Sequence, residues 1–229
     1  MLLMLIEAVV EHGFQLIQSN TDGIFVKIQR DRYNEYIQIC KEWETKTNLK
    51  LEHDEFERFY QYAINDYIGV KKGWSESHDS KLIKKKGLFI DTPIMGKGLA
   101  PLIIPEALNK YFVEGIDPEK TIKSCKDIKK FCTFQKVDKQ FGVFYGSKPV
   151  THINRYYMSL YGKPIYKQRI GQDGKPFGSQ IALCADSPVT IYNKFDNVPI
   201  EKRGINYHYY LSEVYKIIEK MDKKQLTLW

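Results

Sequence analysis

Two short apolar runs, Phe14–Ser19 and Ile24–Ile28, are separated only by Asn20-Thr21-Asp22-Gly23. Four residues rich in turn formers leave two extended segments no room for anything except an antiparallel hairpin. Ile24, Val26 and Ile28 alternate with Phe25 and Lys27, so the second strand has one apolar face to bury. Just upstream, Leu2, Leu5, Ile6, Val9 and Val10 recur at the spacing of one helix face, and Gly13 is placed to end that helix. Downstream, Asp31 is expected to cap a second helix whose buried stripe is Tyr33, Tyr36, Ile37, Cys40 and Trp43. Leu49–His53 and Phe56–Ile64 read as strands, and a turn at Asn65-Asp66 leads into Tyr67-Ile68-Gly69-Val70. Helix, hairpin, helix and strands in this order predict an α+β fold for the first 75 residues.

The next stretch changes character. Lys71–Lys86 is polar and lysine-rich and is expected to be an exposed hairpin or linker, so that 76–100 form a basic connector. Residues 101–221 follow as a second region. Pro105 and Pro118 suit first-turn positions of two helices, the first with a core stripe of Leu108, Tyr111 and Phe112. Thr151–Leu160 and Ile165–Ile170 read as strands flanking a turn at Tyr161-Gly162-Lys163-Pro164, with a further β run at Val189–Tyr192. A closing amphipathic helix over Asn206–Met221 buries Tyr210, Leu211, Val214, Ile217 and Ile218, and 222–229 remain as a tail.

The charge balance is 35 basic against 28 acidic residues, net +7, a lean toward polyanionic partners. Lys136, Lys139, Lys148, Arg155, Lys163, Lys167 and Arg169 are interleaved with five tyrosines between Tyr145 and Tyr166. That mixture suits phosphate contact without sequence readout. No apolar run approaches the ~20 residues of a membrane span, and Met1–Val10 has neither a basic leader nor a cleavage site. The four cysteines have no metal spacing, and reduced thiols in the cytoplasm are the simplest expectation.

On chemistry alone the hairpin tip offers one carboxylate, Asp22. Asn20, Asp22 and Gly23 have two readings: turn formers with no further role, or a rigid mount for a carboxylate that anchors a divalent ion. Several neighbouring motifs bear on that choice. Gln18-Ser19-Asn20-Thr21-Asp22-Gly23-Ile24 resembles the palm hairpin of family B DNA polymerases, whose motif reads Tyr-x-Asp-Thr-Asp-Ser before apolar residues. Leu51-Glu52-His53-Asp54 through Tyr67-Ile68-Gly69 looks like that family's strand pair ending in Lys-Lys-x-Tyr-x-Gly. Gly87-Leu88-Phe89 through the last helix looks like the thumb of its phage branch. The resemblance covers nearly the whole chain, and its weight rests on the order and spacing of the motifs.

The resemblance implies template-directed nucleotidyl transfer from a deoxynucleoside triphosphate to a DNA primer-template, with two Mg²⁺ ions. Asp22 matches the metal-binding second aspartate, while Asn20 stands at the first aspartate's position and Gly23 at the serine's. Tyr67 matches the residue holding the primer near its end, Ile64 and Asn65 replace the lysines before it, and Thr21 falls beside the primer. Lys71, Lys72, Lys84, Lys85 and Lys86 are candidates for phosphate contact, with a solubilising surface as the plainer reading of Lys84–Lys86. Glu52 and Asp54 fall near the metals or at a solvated strand end.

An exonuclease, a second catalytic aspartate and a fingers helix do not precede Met1. The expectation is therefore the C-terminal palm-and-thumb portion of a larger or split enzyme, inactive until an N-terminal half is supplied. Gln225-Leu226-Thr227-Leu228-Trp229 looks like the short peptide by which bacterial replication proteins plug into a sliding clamp, through Gln225, Leu226, Leu228 and Trp229. The plainer reading is a tail folded back on its own domain. A non-catalytic DNA-binding or clamp-associated accessory protein is the alternative function. A reverse transcriptase fits less well, because its adjacent aspartates at the turn are absent.

Overall fold

The computed structural model describes residues 1–21, 23–93, 100–184 and 188–225, the side chains of 223–225 excepted. It is a mixed α+β chain whose sheets are antiparallel wherever pairing is described. Two compact units make it up: residues 1–59, 63–65 and 69–83, and residues 60–62, 66–68 and 84–229.

In the first unit, helix α1 (Leu2–Glu11) is followed by strands β1 (Gln15–Ser19) and β2 (Ile24–Lys27), then helix α2 (Tyr33–Thr47). Gly13 sits at φ +76°, the left-handed turn that the sequence reserved for it. Leu5 and Val9 of α1 pack with Phe14 and with Ile39, Cys40 and Trp43 of α2, and Ile24, Val26 and Ile28 close this core from the hairpin. Trp43 ties the two helices by donating its indole N–H to the Met1 carbonyl at 3.0 Å. Two expectations change here. Asp31 does not cap α2: it lies in a 3₁₀ turn over Arg30–Arg32, and Arg32 precedes the helix without a side-chain cap. Its guanidinium is instead held by Glu35 and the His12 carbonyl, across the face of Phe14. Tyr33 is exposed at the first position of the helix, which starts one residue later than an Asp31 cap implies, and Ile39 is buried in the stripe beside Cys40 and Trp43.

Strands β3 (Phe56–Ala63) and β4 (Asp66–Lys71) follow directly; Leu49–His53 is not a strand. Asn48 ends α2 in the left-handed conformation, and Leu51 N–H is spent on the Glu44 carboxylate, so this segment's backbone is not engaged in a ladder. A short helix α3 (Trp74–Ser77) and strand β5 (Ile83–Lys86) occupy the stretch expected to be an exposed linker, and β5 completes a sheet of order β3-β4-β5. In β5 the lysines alternate with the pleat of an edge strand, where lysine is a common guard against further pairing.

The second unit carries helices α4 (Ile103–Glu114) and α5 (Pro118–Ser124), the latter capped by the Asp117 carboxylate and begun by Pro118 as expected. Strands β6 (Thr133–Lys136), β7 (Phe141–Tyr145), β8 (Lys148–Val150), β9 (Ile153–Lys163), β10 (Ile165–Ile170), β11 (Pro176–Ala182) and β12 (Val189–Ile191) precede the closing helix α6 (Tyr207–Gln225). They form two sheets, β11-β10-β7-β8 and β12-β9-β6.

The expected turn at 161–164 is therefore absent. β9 runs straight through Gly162 to Lys163, and after Pro164 the chain enters the other sheet as β10. Gly162 is needed for close approach, since a Cβ there would stand 2.0 Å from the carbonyl oxygen of Val189. Tyr210, fully buried on α6, fastens this region: its hydroxyl donates to Phe131 O at 2.7 Å and accepts from Met158 N–H at 2.9 Å.

Candidate functional site

In the first unit the β1–β2 hairpin is closed by two hydrogen bonds from Asn20: its N–H donates to Gly23 O at 3.0 Å, and its side-chain oxygen accepts from Gly23 N–H at 2.9 Å. Asn20 is thus a turn-locking residue, a role open to either Asn or Asp. Thr21 is exposed at the tip, and Asp22 lies outside the described residues. A register shift between Leu16 and Gln18 turns Ile17 outward and Gln18 inward, to only 6% exposure, where its amide donates to Ile64 O at 3.1 Å. Phe25 stands on the opposite face of β2, 4.8 Å from the ring of Phe59 and 6.1 Å from that of Phe56. Gly69 leaves room for these rings, since a Cβ on it would come within 2.5 Å of Phe56. The hairpin strands are therefore anchored on both faces, by Gln18 on one and Phe25 on the other.

The charged groups where β3 begins and β4 ends are paired. Lys71 meets Asp54 at 2.7 Å and Lys72 meets Glu55 at 2.8 Å, with Tyr33 donating its hydroxyl to the same Glu55. Lys72 first, and Tyr33 after it, hold the Glu55 carboxyl below its ordinary range. Glu57 accepts from Ser75 and from Gly73 N–H, which lowers it likewise. Glu52 is exposed. Among the described residues no three His, Cys, Asp or Glu side chains gather closely enough to hold a metal ion. The carboxylates at 54, 55 and 57 are occupied by cations and donors, so the described residues do not fit a two-metal cage, and no step through a metal is derived from them.

In the second unit Tyr67 is buried at 4% exposure, with the Lys86 ammonium 5.9 Å from its ring centroid. Lys85 is half-buried and pairs with Asp91 at 2.8 Å, and Asn109 donates to the same carboxylate. Burial opposes ionisation of Asp91, but Lys85 and Asn109 outweigh it and hold the group below its ordinary range. Lys84 is exposed. Of the tail residues, Gln225 ends α6, while Leu226, Leu228 and Trp229 lie outside the described residues.

The unpaired positive charge concentrates elsewhere. Residues 139–182 hold seven lysines and arginines against one acid, Asp173. Lysines in and after the helices of this unit meet carboxylates: Lys110 and Lys130 both reach Glu106, Lys126 reaches Glu201 and Lys123 reaches Glu119. Among the described residues Lys139, in the β6–β7 turn, and the strand lysines Lys148, Lys163 and Lys167 have no such partner; Lys167 lies 4.6 Å from the ring centroid of Phe141.

A second basic and aromatic cluster surrounds Phe195, which no sequence pattern singles out because it stands in a loop with no periodic neighbours. The side chains of Lys129 and Arg155 lie 4.7 and 5.0 Å from its ring centroid. Among the described residues no helix is long and apolar enough to cross a membrane. No family model matches this chain, and no curated protein matches it.

Proposed function

We propose that this chain is the C-terminal palm-and-thumb portion of a family B, phage-like DNA-directed DNA polymerase. The observation that supports this most is the hairpin between α1 and α2: Asn20 bonds Gly23 across its end, and Phe25 of β2 packs with Phe56 and Phe59. A rigid turn of that kind is what a metal-binding carboxylate needs, because a cation held loosely cannot align attacking and leaving oxygens. The sheet region at 139–182, rich in unpaired cations, then lies along a duplex and grips its phosphates. Mg²⁺ would be held by Asp22 together with carboxylates from the rest of such an enzyme.

The ion pairs of Lys71, Lys72 and Lys85 and the burial of Tyr67 favour the second reading, a DNA-binding or clamp-associated accessory protein without catalysis of its own. One experiment separates the two. The chain is co-purified with a candidate upstream half, and extension of a primed template is measured with Mg²⁺, with and without a bacterial-type sliding clamp. Extension by the pair, lost in Asp22→Ala, supports the polymerase reading. DNA binding with clamp-dependent retention, lost on deleting 225–229 and unchanged in Asp22→Ala, supports the accessory one. Extension by this chain alone refutes the reading of it as an incomplete portion of the enzyme.

A further inference from the structure

We infer that Phe195, flanked by Lys129 and Arg155, is a binding site for an unpaired nucleotide, with the ring as the stacking surface and the two cations as phosphate contacts. The ring is 62% exposed, an uncommon state for phenylalanine in a folded unit. It is nevertheless held in place. Tyr192 meets it edge-on at 5.8 Å, and the next residue, Asp196, is fixed by the Arg203 guanidinium and by Val198 N–H. The loop's start is clamped on β9: Arg155 N–H donates to the Asn193 side chain at 2.8 Å, and Tyr192 N–H donates to Arg155 O at 2.7 Å. An exposed aromatic that is also pre-positioned loses little entropy when a flat partner covers it.

The charges point to the partner's chemistry. Among the described residues neither Lys129 nor Arg155 has a carboxylate within ion-pairing distance. Both rest against the ring, in contacts that are weak where water reaches them. A planar base can take over the ring while both cations move to its phosphates, exchanging two weak contacts for stacking and two charge-assisted ones. A duplex cannot use the ring this way, because its bases are already stacked on one another. The site therefore selects single-stranded nucleic acid. The inference rests on the nucleic-acid reading of this unit but not on catalysis.

The test measures binding of a labelled oligothymidylate of about 12 nucleotides, its abasic counterpart and a duplex by fluorescence anisotropy. The abasic strand keeps every phosphate and lacks every base. Thymidylate is expected to bind about 5- to 150-fold more tightly than the abasic strand, the range that stacking of one base contributes. Phe195→Ala should erase that difference, Phe195→Trp should restore it, and duplex affinity should change in neither. Lys129→Gln with Arg155→Gln should weaken thymidylate and abasic strands alike. Equal binding of the two strands by the native protein, or a difference that survives Phe195→Ala, overturns the inference. Duplex binding without that difference would do so while leaving the proposed function standing. The difference without duplex binding would support the site and remove the duplex-gripping role. Competition by polyglutamate as effective as by thymidylate would overturn it in favour of an acidic protein segment.

Discussion

Replacing Tyr210 with phenylalanine removes one oxygen atom from the centre of the second unit and almost no volume. That oxygen serves two backbone groups, accepting from Met158 N–H in β9 and donating to Phe131 O ahead of β6. Tyr210 is 0% exposed and Met158 3%, so water does not reach the vacated position without opening the packing. Each buried group left without its partner costs about 1–3 kcal/mol. Phe131 O can recover part of this by small adjustments, which brings the expected loss to about 2–4 kcal/mol. In urea, where unfolding free energy falls by about 1–3 kcal/mol per molar, the midpoint of this unit should drop by about 1 M or more. Circular dichroism follows the global transition, and amide exchange at Met158 reports the local one, which should accelerate before any other residue of β9. Tyr161→Phe, at a hydroxyl on a side chain 86% exposed, serves as the control and should shift nothing. A Tyr210→Phe midpoint within error of that control would refute the claim that this hydroxyl joins α6 to the sheet.

Gly162→Ala forces a methyl group to within 2.0 Å of Val189 O, an atom that also accepts from the Tyr145 hydroxyl at 2.9 Å. Overpacking costs about 1–3 kcal/mol or more and the displaced hydrogen bond about 1 kcal/mol, so urea denaturation should show a loss of at least ~2 kcal/mol, whereas a true turn at 161–164 would tolerate alanine. Glu106, placed between Lys110 and Lys130, is disfavoured as an anion by burial, but hydrogen bonds from the two lysines outweigh this and hold its carboxyl below the ordinary range. A carboxyl depressed in the folded state contributes stability at neutral pH and loses it as pH falls through the folded value, so Glu106→Gln should flatten the stability profile below about pH 5, read by thermal melts across pH.

Local chemistry was legible wherever a few neighbouring residues settle the matter. The hairpin at 14–28 follows from alternation around a four-residue turn, the start of α5 from Asp117-Pro118, and the stop after α1 from a glycine that alone tolerates φ +76° without strain. The α+β character follows from the same periods. At the candidate site, the hairpin and its turn-locking Asn20 were legible, but the pairing of Lys71, Lys72 and Lys85 was not. Asp54, Glu55 and Asp91 reach those lysines only because strands and turns fold them together, and a linear run of lysines carries no record of that.

What the tertiary structure decided was partnership. A lysine-rich stretch becomes strand β5, since pairing with a neighbouring strand satisfies its backbone whatever its side chains prefer. Tyr161-Gly162-Lys163-Pro164 has the composition of a turn and the conformation of a strand, because the missing Cβ of Gly162 is used by Val189, 27 residues away. Phe195 gains its two cations from segments 66 and 40 residues upstream. Backbone preference acts over a few residues and is written in order along the chain, whereas packing and charge act over a few ångströms between residues that only folding makes neighbours.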